Sequence, residues 1–293
     1  MTEKLYRGMD RDELDRQYNA RATVDDIAPY LQRYAEQSAE ARSDLEVRPN
    51  LKFGPQEDET FDFFPAGSNA PLFVFIHGGY WRLLSKDDSA FFAKNFVHHG
   101  VACAAVNYSL APKASLDEIV RQIRASIAYI WQQADELQID RNRVFVAGSS
   151  AGAHLAAMTL CDGWCESFGM PNHMVAGAML ASGLFDLEPV RLCHPNDWLG
   201  LDAAAAMRNS PIRHLPTAGC PILVCWGGTE TDEFKRQSHD FANDWKSLGF
   251  PCDSFEIGDG NHFDIILDLN DPKRDLCRRT LELIHTGELS SQD

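Results

Sequence analysis

The residues with the clearest chemical potential are a serine, a histidine and a small group of acids. Ser150 lies at the centre of Gly148-Ser-Ser-Ala-Gly152, which fits the pattern G-x-S-x-G. A serine hydroxyl is a weak nucleophile at neutral pH. It needs a base within hydrogen-bond reach, and the base needs an orienting carboxylate. Of the ten histidines, His262 is the best candidate base, because it sits in the Gly- and Asn-rich turn Gly258-Asp-Gly-Asn-His-Phe263. His98, His99, His173, His194, His214, His239 and His285 have no such setting. His154 lies one helical turn beyond Ser150 and is expected to pack along the helix, and His77 is expected to brace the glycine pair that follows it. The acid is open among Glu230, Asp232 and Glu233, which all follow one strand-like run, with Asp186 as an outside candidate. Such a set performs acyl transfer on an ester or amide. The developing oxyanion would need amide donors, and a Gly78-Gly79 loop together with the Ala151 amide can supply them.

The order serine, acid, histidine demands that distant parts of the chain meet at one edge of a sheet. The surrounding pattern allows this. The run 144–147 is apolar and reads as a buried strand, the G-x-S-x-G turn follows, and 153–160 reads as a helix. The small neighbours of Ser150 suit a strained turn that lifts the hydroxyl above the sheet and sets it at a helix N-terminus. Further strands are expected at 71–76, 101–108, 173–182, 221–226 and 252–257, with weaker ones around 46–48 and 60–64. Helices are expected at 10–19, 24–41, 87–98, 115–137, 234–248 and from 264 to about 286, with a polar tail after it. This alternation predicts an α/β fold with a mostly parallel central sheet and helices on both faces. The four candidate features fall at strand ends, where ligands bind in open α/β sheets. All 293 residues read as one domain, with 1–45 as a helical arm or partial lid and 184–220 as a cap insertion.

Composition narrows the function classes. The formal net charge is −16, which argues against a nucleic-acid partner. The N-terminus lacks the apolar core of a signal peptide, and no apolar run approaches the ~20 residues of a membrane span. A cytoplasmic protein without a membrane partner is expected, with the eight cysteines as reduced thiols. Cys161 and Cys165 stand four apart, but no companion ligand pair follows, so neither metal nor cofactor is expected. The expected partner is a small-molecule substrate. The oligomeric state, with a homodimer as one option, stays open.

Residues 60–285 resemble an α/β-hydrolase. His77-Gly-Gly-Tyr-Trp81 resembles the H-G-G-x-W signature of the kynurenine formamidase (arylformamidase) branch, which is related to the hormone-sensitive-lipase-like esterases. Gly148-Ser-Ser-Ala-Gly-Ala-His-Leu155 and Glu230-Thr-Asp-Glu-Phe-Lys-Arg-Gln-Ser238 are similar to the same branch. The resemblance implies Ser150 as nucleophile, His262 as base and Glu230 as acid, with Asp232 as fallback. The family acid is often Asp, so Glu230 is a departure. It also implies amides of Gly78, Gly79 or Tyr80, with Ala151, as the oxyanion hole. Tyr80 and Trp81 would lie near the substrate pocket; the alternative for Trp81 is to wedge the loop against the core. The implied reaction is hydrolysis of N-formyl-L-kynurenine to kynurenine and formate. A carboxylesterase, or an amidase for another small aromatic or cyclic amide, is the alternative, and a non-catalytic binding protein of the same fold is the remote one.

Overall fold

Apolar β-branched and aromatic runs build the centre of the molecule. The computed structural model describes residues 3–289. Eight strands form one sheet: β1 (Arg48–Lys52), β2 (Thr60–Phe64), β3 (Ala70–Ile76), β4 (Ala102–Val106), β5 (Ile139–Ser149), β6 (Gly177–Ala181), β7 (Ile222–Gly227) and β8 (Cys252–Ile257). Their order is β1-β2-β4-β3-β5-β6-β7-β8, parallel from β4 to β8 and antiparallel at the β1-β2-β4 edge. The helices are α1 (Arg11–Gln17), α2 (Ala28–Asp44), α3 (Ala93–His98), α4 (Leu116–Gln132), α5 (Ala134–Leu137), α6 (Ala151–Leu160), α7 (Glu188–Arg191), α8 (Asn196–Leu199), α9 (Ala203–Arg208), α10 (Asp232–Ser247) and α11 (Asp275–Thr286). This is the expected α/β sheet with both faces covered.

Period-two alternation divides each strand between two cores. In β3, Leu72, Val74 and Ile76 join the core on one face, while Phe73 and Phe75 join the other. Both cores are closed by helices, so strands buried on both sides read as continuous apolar runs. The chain passes from β3 to β4 on one side and returns to β5 on the other. That reversal opens a crevice at the carboxyl ends of β3 and β5, where Ile76 pairs with Gly148. The glycine-pair loop and the serine turn emerge there side by side.

Several expected elements are shorter than the apolar pattern suggested. The 87–98 helix reduces to a 3-10 turn at Lys86–Asp88 and α3. Ser85 caps that turn, and the Ala90 amide donates to Ser38 Oγ of α2 at 3.0 Å, so this donor is taken by the arm. The 115–137 helix breaks at Gln133, and Gln138 is left-handed with φ of 58°. The 173–182 strand shrinks to β6, whose pairing begins where Gly177 meets Phe145 of β5. After His262 the chain first forms a 3-10 helix (Ile265–Asn270), and Pro272 separates it from α11. Segment 184–220 holds three short helices, α7 to α9. Of the expected polar tail, residues 290–293 lie outside the described residues.

Candidate active site

The serine turn is built by close packing of small residues. Ser150 has φ of 58° and ψ of −121°, a conformation that costs about 1–3 kcal/mol and persists only where its surroundings hold it. A Cβ on Gly148 would collide with the backbone of Gly152, and one on Gly152 with the carbonyl of Ile76. Only glycine at both sites lets β5, α6 and the end of β3 approach this closely. The Ser150 amide donates to the Ala181 carbonyl at 2.8 Å, which ties the turn to β6. Ala151 opens α6, so its amide has no acceptor within the helix. Among the described residues, no hydrogen bond engages the Ser150 hydroxyl.

The acid and base come from two further strand ends. Glu230 follows β7 and His262 follows β8. Glu230 Oε2 lies 2.8 Å from His262 Nδ1, and both side chains are buried. The other oxygen, Oε1, accepts from the Gly227 amide at 2.6 Å and from the Ser182 hydroxyl. Burial alone would raise the Glu230 carboxyl. The His262 ring, the Ser182 hydroxyl and the Gly227 amide outweigh that and hold it below its ordinary value. A carboxylate at Nδ1 fixes the proton on that nitrogen and leaves Nε2 as the basic atom. Ser182 escapes sequence reasoning, because a serine ending a strand has no motif. Its positive φ of 50° is the structural sign that the position is constrained.

The other acids are engaged elsewhere. Asp232 is exposed in the first turn of α10, where it favours the helix N-terminus. Glu233 accepts from the buried Tyr18 hydroxyl at 2.8 Å and pairs with Arg236 at 2.7 Å. Asp186 pairs with Arg213 at 3.1 Å.

The loop after β3 presents the candidate oxyanion donors. Gly79, Tyr80 and Trp81 have φ of 93°, 52° and 56°, and the Gly79 carbonyl closes the turn by accepting from Arg82 and Leu83. Among the described residues no protein acceptor engages the amides of Gly78, Gly79 or Tyr80. His77 is fully buried, stacks on Tyr108 with ring centroids 4.0 Å apart, and lies with Nδ1 3.0 Å from the Gly78 carbonyl.

The two aromatic residues of this loop diverge. Tyr80 lines the cavity over Ser150, and its hydroxyl donates to the Tyr18 carbonyl. Trp81 does not line this cavity, and of the two roles left open for it the position fits the wedge against the core. Trp81 is fully buried behind the loop and donates through Nε1 to His154 Nδ1 at 3.1 Å. His154 Nε2 in turn lies 2.7 Å from the Asn209 carbonyl. Trp81 and His154 therefore bind the loop to α6 and to the 184–220 segment.

Ser150 and His262 share a cavity of about 80 Å³. Its walls combine Gly78, Gly79 and Tyr80 with Phe75, Phe91, Phe263 and Ile266, and the arm adds Ala20, Arg21, Leu31 and Tyr34. Segment 184–220 contributes no lining residue. A second cavity of about 190 Å³, beside Cys161, Cys165 and Cys220, shares no residue with it. Burial pushes the Cys161 thiol up to about 12. No helix among the described residues is long and apolar enough to cross a membrane.

The parallel sheet, the glycine-framed serine turn and the loop after β3 define an α/β-hydrolase. The family model BD-FAE matches residues 63–177. A solved structure from a Silicibacter species superposes with a TM-score of 0.78 at 29% identity, covering 94% of this chain and 99% of that one. The kynurenine formamidase of Danio rerio is 33% identical over 95% of this chain and 98% of its own length, and that of Salmo salar is 32% identical over the same shares. The chain belongs to the kynurenine formamidase family, and it is a hydrolase.

Proposed function

We propose that this protein hydrolyses N-formyl-L-kynurenine to kynurenine and formate, with Ser150, His262 and Glu230 as its catalytic residues. The observation that carries this reading is the size and lining of the cavity over Ser150. A space of about 80 Å³ walled by Phe75, Phe91 and Phe263 suits a very small acyl group and a flat aromatic neighbour. Formyl is the smallest acyl group. The relatives' activity supports the same substrate.

The chemistry of this reading runs through a formyl-serine. His262 Nε2 takes the Ser150 proton as the oxygen attacks the formyl carbon. The tetrahedral oxyanion is met by the amide of Ala151 and by amides of the Gly78-Gly79-Tyr80 loop, which no protein acceptor engages. His262 then gives its proton to the aryl nitrogen, the C–N bond breaks and the amine leaves. Water, deprotonated by the same ring, attacks the formyl-serine and releases formate. Glu230 stays ionised throughout and stabilises the imidazolium. The arm supplies part of the cavity wall, so residues 3–45 act as a partial lid.

Steady-state hydrolysis of N-formyl-L-kynurenine beside a short p-nitrophenyl ester tests this, with Ser150→Ala as control. The expected result is a formamide kcat/KM of ~10⁴ M⁻¹s⁻¹ or more, falling by ~10⁴-fold or more in the variant. Cleavage of the ester alone would remove the formamide assignment.

A further inference from the structure

We propose that Arg21 is the group that binds the substrate's carboxylate, so that the site selects an aryl formamide whose leaving half carries an anion. Arg21 lines the cavity that holds Ser150 and His262. No aspartate or glutamate lines that cavity, so apart from the His262 ring the guanidinium is its only ionisable side chain besides the two tyrosines. Among the described residues Arg21 forms no ion pair and no side-chain hydrogen bond. Arg21 is exposed, so its guanidinium stands at the rim of the cavity, and it is left without a carboxylate although 43 acidic residues face 27 basic ones in this chain. Arg11, Arg42, Arg121, Arg191, Arg208 and Arg236 have carboxylate partners, and of the arginines that have none among the described residues, such as Arg7, Arg16 and Arg33, only Arg21 lines the cavity of Ser150. An unpaired guanidinium in the wall of a nucleophile's cavity offers a planar pair of donors that matches a carboxylate.

The turn that carries Arg21 is anchored from both sides. Ala20–Thr23 is one 3-10 turn, closed by Thr23 Oγ1 donating to the Ala20 carbonyl at 2.7 Å. On its N-terminal side Tyr18 is buried, bonded to Glu233 and Gln237 through its hydroxyl, while its carbonyl accepts from Tyr80. On its C-terminal side the Tyr34 hydroxyl of α2 donates to the carbonyl of Phe263, next to His262. The chain on either side of Arg21 is thus tied to the loop that offers the oxyanion donors and to the turn that offers the base, while its side chain stays free. A formyl group has no room for a charge. The anion that Arg21 meets must therefore sit on the amine half, which places an α-amino-acid carboxylate at the cavity mouth.

This assignment rests on the formamidase reading, and the test separates the two. Compare kcat/KM for N-formyl-L-kynurenine with that for N-formylkynuramine, which keeps the formamide and ring but lacks the carboxylate. In the wild type the carboxylate-bearing substrate should be preferred by at least 10-fold. In Arg21→Ala that preference ratio should fall by roughly 10- to 100-fold, the loss expected for one charge-assisted contact, and mainly through KM. Arg21→Lys should recover part of the ratio, since it restores the charge without the fork. An unchanged ratio in Arg21→Ala, with both formamides still cleaved, overturns the Arg21 assignment and leaves the formamidase reading intact. Failure of the wild type to cleave either formamide, while it cleaves an ester, overturns the reading and this assignment together.

Discussion

The strand ends and the N-terminal arm both reach the same cavity, yet they are held in different ways. Ser150, Glu230 and His262 stand at the ends of three parallel strands whose backbones are locked by the sheet and by close contacts that admit only glycine at positions 148 and 152. The arm has no strand in the sheet. It is tied down by side chains: Tyr18 to Glu233, Tyr34 to Phe263, and Arg42 to Asp62 at 2.8 Å. The sheet therefore fixes atoms that must be placed to a fraction of an ångström for chemistry, while the arm shapes the wall that the substrate touches. Substitutions in the first region should act on kcat, and those in the second on KM.

After the serine itself, the largest effect should come from the acid. Glu230→Ala removes the group that fixes the His262 tautomer, and kcat should fall by ~10³- to 10⁴-fold. Asp232→Asn, two residues away but exposed, should change it by less than about twofold. Equal losses would show that the strand end does not discriminate between neighbouring carboxylates. Ser182→Ala probes the same pair more gently. It removes one donor from Glu230 Oε1 while leaving the Gly227 amide and His262 in place. A kcat loss of roughly 10-fold is expected, about what one hydrogen bond to a charged group contributes.

The sheet-held region should also be the acid-sensitive one. His77 and His154 are fully buried, and desolvation lowers both from 6.5 to about 4. Between those values the unfolded chain binds protons that the folded chain refuses, so stability falls as pH falls through this window. Each ring contributes on the order of 3 kcal/mol by the full width of the shift, and about 2 kcal/mol between pH 6.5 and 5. Urea midpoints at pH 7 and pH 5 measure the loss. His154→Gln should be less stable at pH 7 but should lose less on acidification. A parallel loss in wild type and variant would show that His154 titrates as in the unfolded chain.

The serine turn and the overall α/β order are legible in the sequence because their causes are local. Five residues contain the whole steric demand of the elbow, and each strand from β3 to β7 carries its own apolar run, whereas β1, Arg48-Pro-Asn-Leu-Lys52, does not. The acid is legible only as a cluster. Glu230, Asp232 and Glu233 differ in direction, since the first sits in the turn after β7 and the others begin α10. Neighbours also divide in the loop after β3, where successive positive φ values send Tyr80 into the cavity and Trp81 behind it. Ser182 and the arm's wall residues are illegible for another reason. Their contacts join positions as far apart as Tyr34 and Phe263, 229 residues, and no local pattern records such a meeting.

The smallest expected effect bears most directly on the contrast between the two regions. Tyr34→Phe keeps the ring that stacks on Phe91, with centroids 5.3 Å apart, and deletes only the hydroxyl that donates to the Phe263 carbonyl. The cost should be about 1 kcal/mol of local order, the net value of one such hydrogen bond. Arg42 would still hold the far end of α2 to Asp62 and to the Lys86 carbonyl. The arm should then stay docked but fit the cavity more loosely, and KM should rise about 3- to 5-fold with kcat within twofold. If kcat falls instead while KM holds, the hydroxyl acts through Phe263 on the neighbouring His262. The arm would then belong with the strand ends, as part of what places the base.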